Sequence, residues 1–280
     1  MTAFANTLAE LLKKGAEYGH DHGSWLKGRY EEIKGKIQPD LQEAVEVLCQ
    51  QINSWGNVPH LEIEARIGFF NQEDDGTWVG PFDSDVGQEW FNKVFSALES
   101  CSYDMVKSVT TDYCVGDYRM TVDEKGQRCA MKKITMEHTN FNYENSPFDI
   151  RVSFSQETPI AIKEFNKVAK NREPTQRKKT RTTFYTNHWK FDLTRVEYTA
   201  DSIDQAKHEV ELEARLDNVG YVDYVYMADS MMRKIKMVTD FCETVEPGGQ
   251  RKMVHLKNLS KKYVELDTLV NSLKKTSLSD

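Results

Sequence analysis

Glutamate recurs at every second position in two segments of this 280-residue chain. The first reads Leu61-Glu62-Ile63-Glu64-Ala65-Arg66-Ile67 and the second Glu209-Val210-Glu211-Leu212-Glu213-Ala214. A period of two is that of a β-strand, whose side chains alternate between two faces. Each segment therefore places an unbroken charged row on one face and an unbroken apolar row on the other. Carboxylates held side by side repel one another and do not stay ionised unless a cation sits among them. Two such strands, both rich in carboxylates, describe a pair that converges on a cation, and an all-oxygen donor set suits Mg2+ or Mn2+.

Other segments repeat the two-faced pattern with the opposite charge. Arg151 and Ser153 alternate with Ile150, Val152 and Phe154; Lys190, Asp192 and Thr194 alternate with Phe191 and Leu193. Arg177, Lys179, Arg181 and Thr183 alternate less cleanly, with Lys178, Thr180, Thr182 and Phe184. A bank of Arg and Lys suits phosphate oxygens, so metal and basic bank together describe a site for a polyphosphate chain. Phosphoryl transfer asks mostly for positioning and charge neutralisation. An open sheet with one wet face is the commoner antiparallel arrangement, but it predicts mixed charge on every strand. Here acids and bases are sorted by strand, which favours a closed barrel with a charged lumen; closure also removes exposed strand edges. The sequence holds no GxxxxGK[ST] phosphate loop, GxGxxG, GxSxG, HExxH or HxH. Its seven histidines read as scattered surface or core residues.

The elements that must position these rows are legible in outline. After Pro39, the spacing of Leu41, Ala44, Val45, Leu48 and Ile52 predicts a helix. Residues 71–81 read as a loop. Ser84 is a candidate cap for a helix carrying Trp90, Phe91, Val94, Phe95 and Leu98. Strand patterns run from about Ser108 to Val196, including a hairpin of Tyr118–Val122 and Arg128–Thr135 around Asp123-Glu124-Lys125-Gly126. The basic stretch from Lys163 to Arg181 reads as a strand at its C-terminal end. A helix with Tyr224, Ala228, Met231, Ile235, Val238 and Cys242 on one face follows the late acidic strand, and 261–275 reads as a last helix. The order implies an α+β fold on an antiparallel sheet, organised as a helical N-terminal extension packed on the barrel (1–56), a catalytic domain (57–260) and a C-terminal helix and tail (261–280).

Composition sets outer bounds. Hydrophobic residues make up 39% and charged residues 29%, with a formal net charge of −7. A protein that coats long nucleic acid carries a basic surface, so a large RNA or DNA footprint is not expected. Five cysteines without a CxxC pair read as free thiols in a reducing compartment and no zinc site. No run of about 18 apolar residues spans a membrane.

With these residues in order, the chain resembles the fungal and protozoan type of mRNA-capping RNA 5′-triphosphatase, within the triphosphate tunnel metalloenzymes. The two glutamate strands resemble that family's two metal-binding motifs. Asp149-Ile150-Arg151-Val152-Ser153 resembles its Arg-bearing strand, Arg177-Lys178-Lys179-Thr180-Arg181 its Arg-x-Lys-x-Arg strand, and Lys190-Phe191-Asp192-Leu193-Thr194 its basic-x-Asp-Leu-Thr strand. The motifs span about residues 60–215. Lys190 stands where the family often has Arg, and Glu157 and Glu164 both qualify as the acid it places between the Arg-bearing and Arg-x-Lys-x-Arg strands.

The resemblance implies a closed antiparallel eight-stranded β-barrel with flanking helices. It implies metal-dependent removal of the γ-phosphate from triphosphate-ended RNA, the first step of mRNA capping. Glu62, Glu64 and Glu213 become the metal ligands, with Glu209 and Glu211 completing the acidic wall. Arg151, Lys179, Arg181 and Lys190 hold phosphate oxygens; Lys132 or Lys133 adds another contact, and Arg66 and Arg177 line the substrate path. Asp192 orients one of the basic groups, Thr194 a neighbouring carboxylate, and Glu157 the attacking water. Nucleoside triphosphates become alternative substrates, a separate RNA guanylyltransferase a partner, and the nucleus the location, or the cytoplasm for a virus. An inorganic tripolyphosphatase or thiamine triphosphatase of the same fold is the nearer alternative, although those usually open on Glu-x-Glu-x-Lys where this chain has Arg66. A non-catalytic polyphosphate sensor is the farther one, and needs no full set of carboxylates.

Overall fold

Alternation and helical spacing resolve into a closed tunnel clad on one side by helices. The computed structural model describes residues 34–72, 78–144, 146–198, 206–216, 223–242 and 253–255. Along the chain these form α1 (Gln42–Trp55), β1 (Leu61–Gln72), β2 (Trp78–Asp83), α2 (Gln88–Ser100), β3 (Asp104–Val115), β4 (Tyr118–Asp123), β5 (Arg128–Tyr143), β6 (Asp149–Ile160), α3 (Ile162–Ala169), β7 (Thr175–Tyr185), β8 (Trp189–Tyr198), β9 (Lys207–Ala214), α4 (Tyr224–Cys242) and β10 (Met253–His255).

Eight strands close on themselves in the order β1-β6-β5-β4-β3-β7-β8-β9 and back to β1, every neighbour antiparallel. β2 adds to β1, and β10 to β5. Each acidic strand is thus buried between two partners, and β1 and β9 meet directly. The charged rows point inward and the apolar rows outward, an inversion of the usual barrel. Ile63, Ala65 and Ile67 of β1, Ile150, Val152 and Phe154 of β6, and Val210 and Leu212 of β9 pack beneath the helices in one core. α1 contributes Ala44, Val45, Leu48 and Ile52 to that core, and α4 contributes Ala228, Met231, Ile235 and Val238. A small second cluster, Val115, Ala130 and Phe165, seats α3 against the hairpin side.

The hairpin turn follows its residues. Asp123 Oδ1 accepts from the amides of Lys125 and Gln127 at 2.9 and 2.8 Å, and Gly126 takes φ 78°, which glycine adopts without a Cβ penalty. Gly68 matters for space: a Cβ there would meet the Asp83 carbonyl oxygen at 2.1 Å, so only glycine lets β2 cross so close to β1.

Some expectations shift. The predicted loop at 71–81 is partly strand, because β1 runs through Gln72 and β2 takes Trp78–Asp83. Ser84 caps nothing: α2 starts at Gln88 behind Gly87, with no side-chain cap, and the Ser84 hydroxyl donates instead to Glu209 Oε1 at 2.8 Å. Much of the basic stretch after Lys163 is the helix α3, seated by Phe165, and strand begins only at Thr175. The helix predicted over 261–275 lies outside the described residues, as does the chain before residue 34.

Leu48 is fully buried where α1 meets the shared core. Leu48→Ala should therefore destabilise the whole protein by about 2–5 kcal/mol, seen as a lower urea midpoint with an unchanged slope. An unchanged midpoint would show that α1 is not part of the cooperative unit.

Candidate active site

Register fixes which side chains share the lumen, since directly opposed residues lie on one face of the sheet. Glu64 of β1 stands opposite Glu213 of β9, and Arg66 opposite Glu211. Continuing round the barrel, Glu213 faces Lys190, Glu211 faces Asp192 and Glu209 faces Thr194. Thr194 faces Arg181 and Asp192 faces Thr183. On the other side Glu62 faces Ser155, Glu64 faces Ser153, and Glu157 faces Lys133.

Charges of opposite sign interlock across this lumen. Arg181 uses all three nitrogens: Nε donates to Thr194 Oγ1 at 2.9 Å, Nη1 to Asp192 Oδ2 at 3.0 Å and Nη2 to Glu211 Oε2 at 3.3 Å. Lys190 Nζ pairs with Glu213 at 2.9 Å and lies 3.6 Å from Asp192. Asp192 therefore lies between two cations, where the sequence reading has it orient one. Thr194 differs from its expected role, because its hydroxyl accepts from Arg181 rather than holding a carboxylate. Lys133 Nζ pairs with Glu62 and lies 3.7 Å from Glu64 and 3.4 Å from Glu157. Arg66 pairs with Glu64 and Glu211.

The choice between Lys132 and Lys133 falls to Lys133. Lys132 faces Tyr118 in register, and its Nζ lies 5.6 Å from that ring on the barrel's other face. Strand parity excludes it from the lumen. Glu164 is likewise excluded: it is exposed on the first turn of α3, whereas Glu157 lies in the lumen, 3.0 Å from Arg119. Arg151 faces Arg66 in the lumen but bonds Asn140 Oδ1 at 3.0 Å and stacks over Phe70 and Phe82, at 5.1 and 4.8 Å. Arg177 pairs with Asp112 at 3.1 Å, as does Lys179 at 2.9 Å.

The sequence reading missed several lumen residues. Asp112, 2% exposed, anchors Arg177 and Lys179 and accepts from Thr121 Oγ1 at 2.7 Å. Arg119 holds Glu157. His138 Nδ1 lies 3.0 Å from Ser153 Oγ; burial, with Arg151, Arg66 and Lys133 nearby, lowers its pKa to about 4, so the ring stays neutral. The available signal was the alternation Ser108, Thr110, Asp112, Cys114 on β3, which has no charged repeat to draw the eye.

The electrostatics sort the acids. Burial, then Glu64, pushes Glu62 up to about 8, against the pull of Lys133. Burial raises Glu213 to about 7, only partly offset by Lys190. Burial followed by Glu211 also raises Glu209. Glu211 goes the other way: burial opposes its charge, but Arg66, Arg181, Lys179 and Lys133 outweigh it and hold the carboxyl well below the usual range. Glu211 is thus already neutralised by the protein, whereas Glu62 and Glu213 lack enough positive charge nearby.

Among the described residues no trio of acid, histidine or cysteine side chains is gathered on a single point, because Glu62, Glu64 and Glu213 each turn to a basic neighbour. Their chemistry nonetheless fits a hard divalent cation. Glu64 is 4% exposed; its Oε1 accepts no hydrogen bond, although Arg66 lies against it as an ion pair. Ser155 Oγ, Arg119 Nε and Arg177 Nε are also buried without hydrogen-bond partners. Buried polar groups are nearly always satisfied; of the five orphaned atoms among the described residues all but Trp90 Nε1 line the lumen, which marks a place for ligands.

A family model described as mRNA capping enzyme, beta chain, an mRNA triphosphatase, matches residues 89–245, more than half of the chain. A comparison with curated proteins gives no match. Among solved structures, the Pct1 RNA triphosphatase of S. pombe is similar with a TM-score of 0.60 at 16% identity, covering 72% of this chain and 93% of that one. Its complex with the Spt5 CTD gives a TM-score of 0.57 at 17% identity, covering 72% and 94%. Both likenesses carry the fold alone. The family match starts beyond β1, so Glu62 and Glu64 join the site through the register of β1 with β9. This chain belongs to the mRNA capping enzyme beta-chain family and is an RNA triphosphatase of the tunnel fold.

Proposed function

We propose that the tunnel hydrolyses the γ-phosphate of triphosphate-ended RNA with a divalent cation, Mg2+ or Mn2+, held by Glu62, Glu64 and Glu213. The observation that carries this is Glu64 directly opposite Glu213 at the seam of β1 and β9, with Glu62 next in the row. When bound, the cation would supply charge neutralisation at γ-phosphate oxygens, and the three carboxylates would exchange their basic partners for it.

The chain's own residues do the rest. Lys179, Arg181 and Lys190 offer N–H donors to phosphate oxygens, and Lys133, beside Glu62, Glu64 and Glu157, adds an ammonium to the same lumen. Arg66 and Arg181 keep Glu211 ionised, so Glu211 positions Arg181 rather than binding metal. Glu209, tied to Ser84, closes the acidic wall. Arg119 holds Glu157, which would orient a water in line with the β–γ bridge. Attack of that water on phosphorus breaks the bridging P–O bond and yields diphosphate-ended RNA and phosphate. Arg151 stacks and braces the far wall. Nucleoside triphosphates are expected as alternative substrates with Mn2+, an RNA guanylyltransferase as the enzyme acting next, and the nucleus as the place of action, or the cytoplasm for a virus. No helix among the described residues is long and apolar enough to cross a membrane. Inorganic tripolyphosphate remains the second substrate reading, favoured by nothing outside the shared lumen.

Phosphate release should vanish in EDTA and return with Mg2+ or Mn2+; undiminished release after thorough chelation removes the metal from this reading. Glu64→Gln and Glu213→Gln should each lower the rate by about a hundredfold or more, a loss of about 2.7 kcal/mol of transition-state stabilisation. Neither should melt much earlier than the parent protein, because each relieves repulsion between opposed carboxylates; an early melt would assign them a structural role.

Arg181→Ala should be severe and Arg181→Lys only partly restorative, because three nitrogens meet three different acceptors and an ammonium cannot copy that fork. Arg177, two residues along the row and tied to Asp112, should matter less. Near-normal turnover in both alanine variants would mean that β7 does not meet the substrate.

A further inference from the structure

Within the lumen almost every cation has a carboxylate partner. At one tunnel mouth that matching stops. The turn joining β7 to β8, the end of β9 and the face of α4 surround a pocket of about 450 Å3, lined by Tyr185, His188, Arg215, Tyr226 and Lys234 among others. Arg215 follows the end of β9, two residues beyond Glu213, and its amide donates to the His188 carbonyl at 2.9 Å. Tyr185 faces Lys190 in register. The pocket therefore sits at the end of the barrel where Glu213 and Lys190 lie nearest.

Its chemistry differs from the lumen's. Arg215 stacks on Tyr185 at 5.2 Å and donates to the Thr186 carbonyl at 2.8 Å, and no carboxylate lies within ion-pair distance of it among the described residues. Lys234 is likewise without a carboxylate partner among the described residues, and burial lowers its pKa. The pocket's own acid, Asp104, is exposed at its edge and bridges neither cation. Tyr226, 49% exposed, meets His188 edge-on at 5.7 Å. Unpaired cations beside open aromatic faces match a phosphodiester next to an unstacked base, the usual way single-stranded RNA is held.

We infer that this mouth is a subsite for the first nucleotides of the RNA, with Arg215 and Lys234 on the phosphodiester and Tyr226 and His188 offering a stacking surface. The inference rests on the triphosphatase reading and adds a direction to it: the γ-phosphate goes in first, and the RNA leaves past Arg215. Its small size also agrees with a chain of net charge −7.

The test compares two substrates, tripolyphosphate and a short triphosphate-ended RNA, in the parent protein and in Tyr226→Ala, Lys234→Gln and Arg215→Gln. Loss of a base stack commonly weakens binding by about fivefold to a hundredfold. Each variant should lower kcat/KM for RNA within that range, mainly through KM, while turnover of tripolyphosphate stays unchanged and shows that the tunnel is intact. Equal kcat/KM for RNA in parent and variants would overturn the subsite. So would parallel losses on both substrates, which would mark a structural role. A selective RNA defect from Tyr198→Ala, on the strand end facing Arg177, would send the RNA out of the opposite mouth and also overturn it. A parent protein that hydrolyses tripolyphosphate but not RNA would fail the RNA reading itself, while one active on both with unaffected variants fails only the subsite.

Discussion

Two glutamates held face to face set the terms for this molecule. Glu64 and Glu213 oppose each other where β1 meets β9, at the seam that closes the barrel. Like charges directly opposed weaken a sheet, and taking an ion out of water costs several kcal/mol even when it is paired. A sequence selected for stability alone would place apolar residues there. Buried ion pairs often do no better than well-packed apolar residues of similar volume, so the many lumen pairs do not recover the cost. What does recover it is the apolar outer wall: Ile63, Ala65, Val152, Phe154, Val210 and Leu212 are all buried beneath α1, α2 and α4. The fold is held from outside so that the inside can be arranged for chemistry.

That arrangement separates acids that the protein neutralises from acids that it leaves unneutralised. Glu211 is surrounded by Arg66, Arg181 and Lys179 and stays ionised. Asp192 and Asp112 are nearly as enclosed, each gripped by two cations and a threonine hydroxyl. These three are fixed counter-charges that aim the basic bank. Glu62 and Glu213 have weaker basic support, and burial pushes both up towards neutral pH. The difference lies in the number of basic neighbours.

Much of this was legible because a strand's period of two writes the lumen directly into the sequence. Glu62, Glu64, Arg66, Arg181, Asp192, Glu211 and Glu213 needed only alternation. Where the sequence misled, one of its two faces was uninformative. The outer faces of β3 and β7 are wet, with Lys107, Lys178 and Thr180 exposed, so polar residues fall on both sides and the parity is blurred. Asp112 was missed for that reason. Lys132 and Lys133 are adjacent, and only the pairing of β4 with β5 decides which one faces in. Ser84 looked like a helix cap because nothing local reveals Glu209, 125 residues away, as its partner. The helix α3 is short, and its one fully buried anchor, Phe165, gives no periodicity to detect.

Charge distribution finally reconciles an acidic protein with an RNA substrate. Affinity for nucleic acid that comes from phosphate contacts releases counterions and falls steeply with salt. Here the lumen cations are already engaged by protein carboxylates, so they offer little long-range attraction to a passing RNA chain. A group that enters the tunnel meets them at close range, where it can compete with those carboxylates. Recognition is thereby confined to the end of the molecule: a triphosphate is narrow enough to enter and charged enough to compete, whereas an internal phosphodiester is neither. Preference for RNA ends follows from the closed shape and from internal neutralisation of the lumen cations.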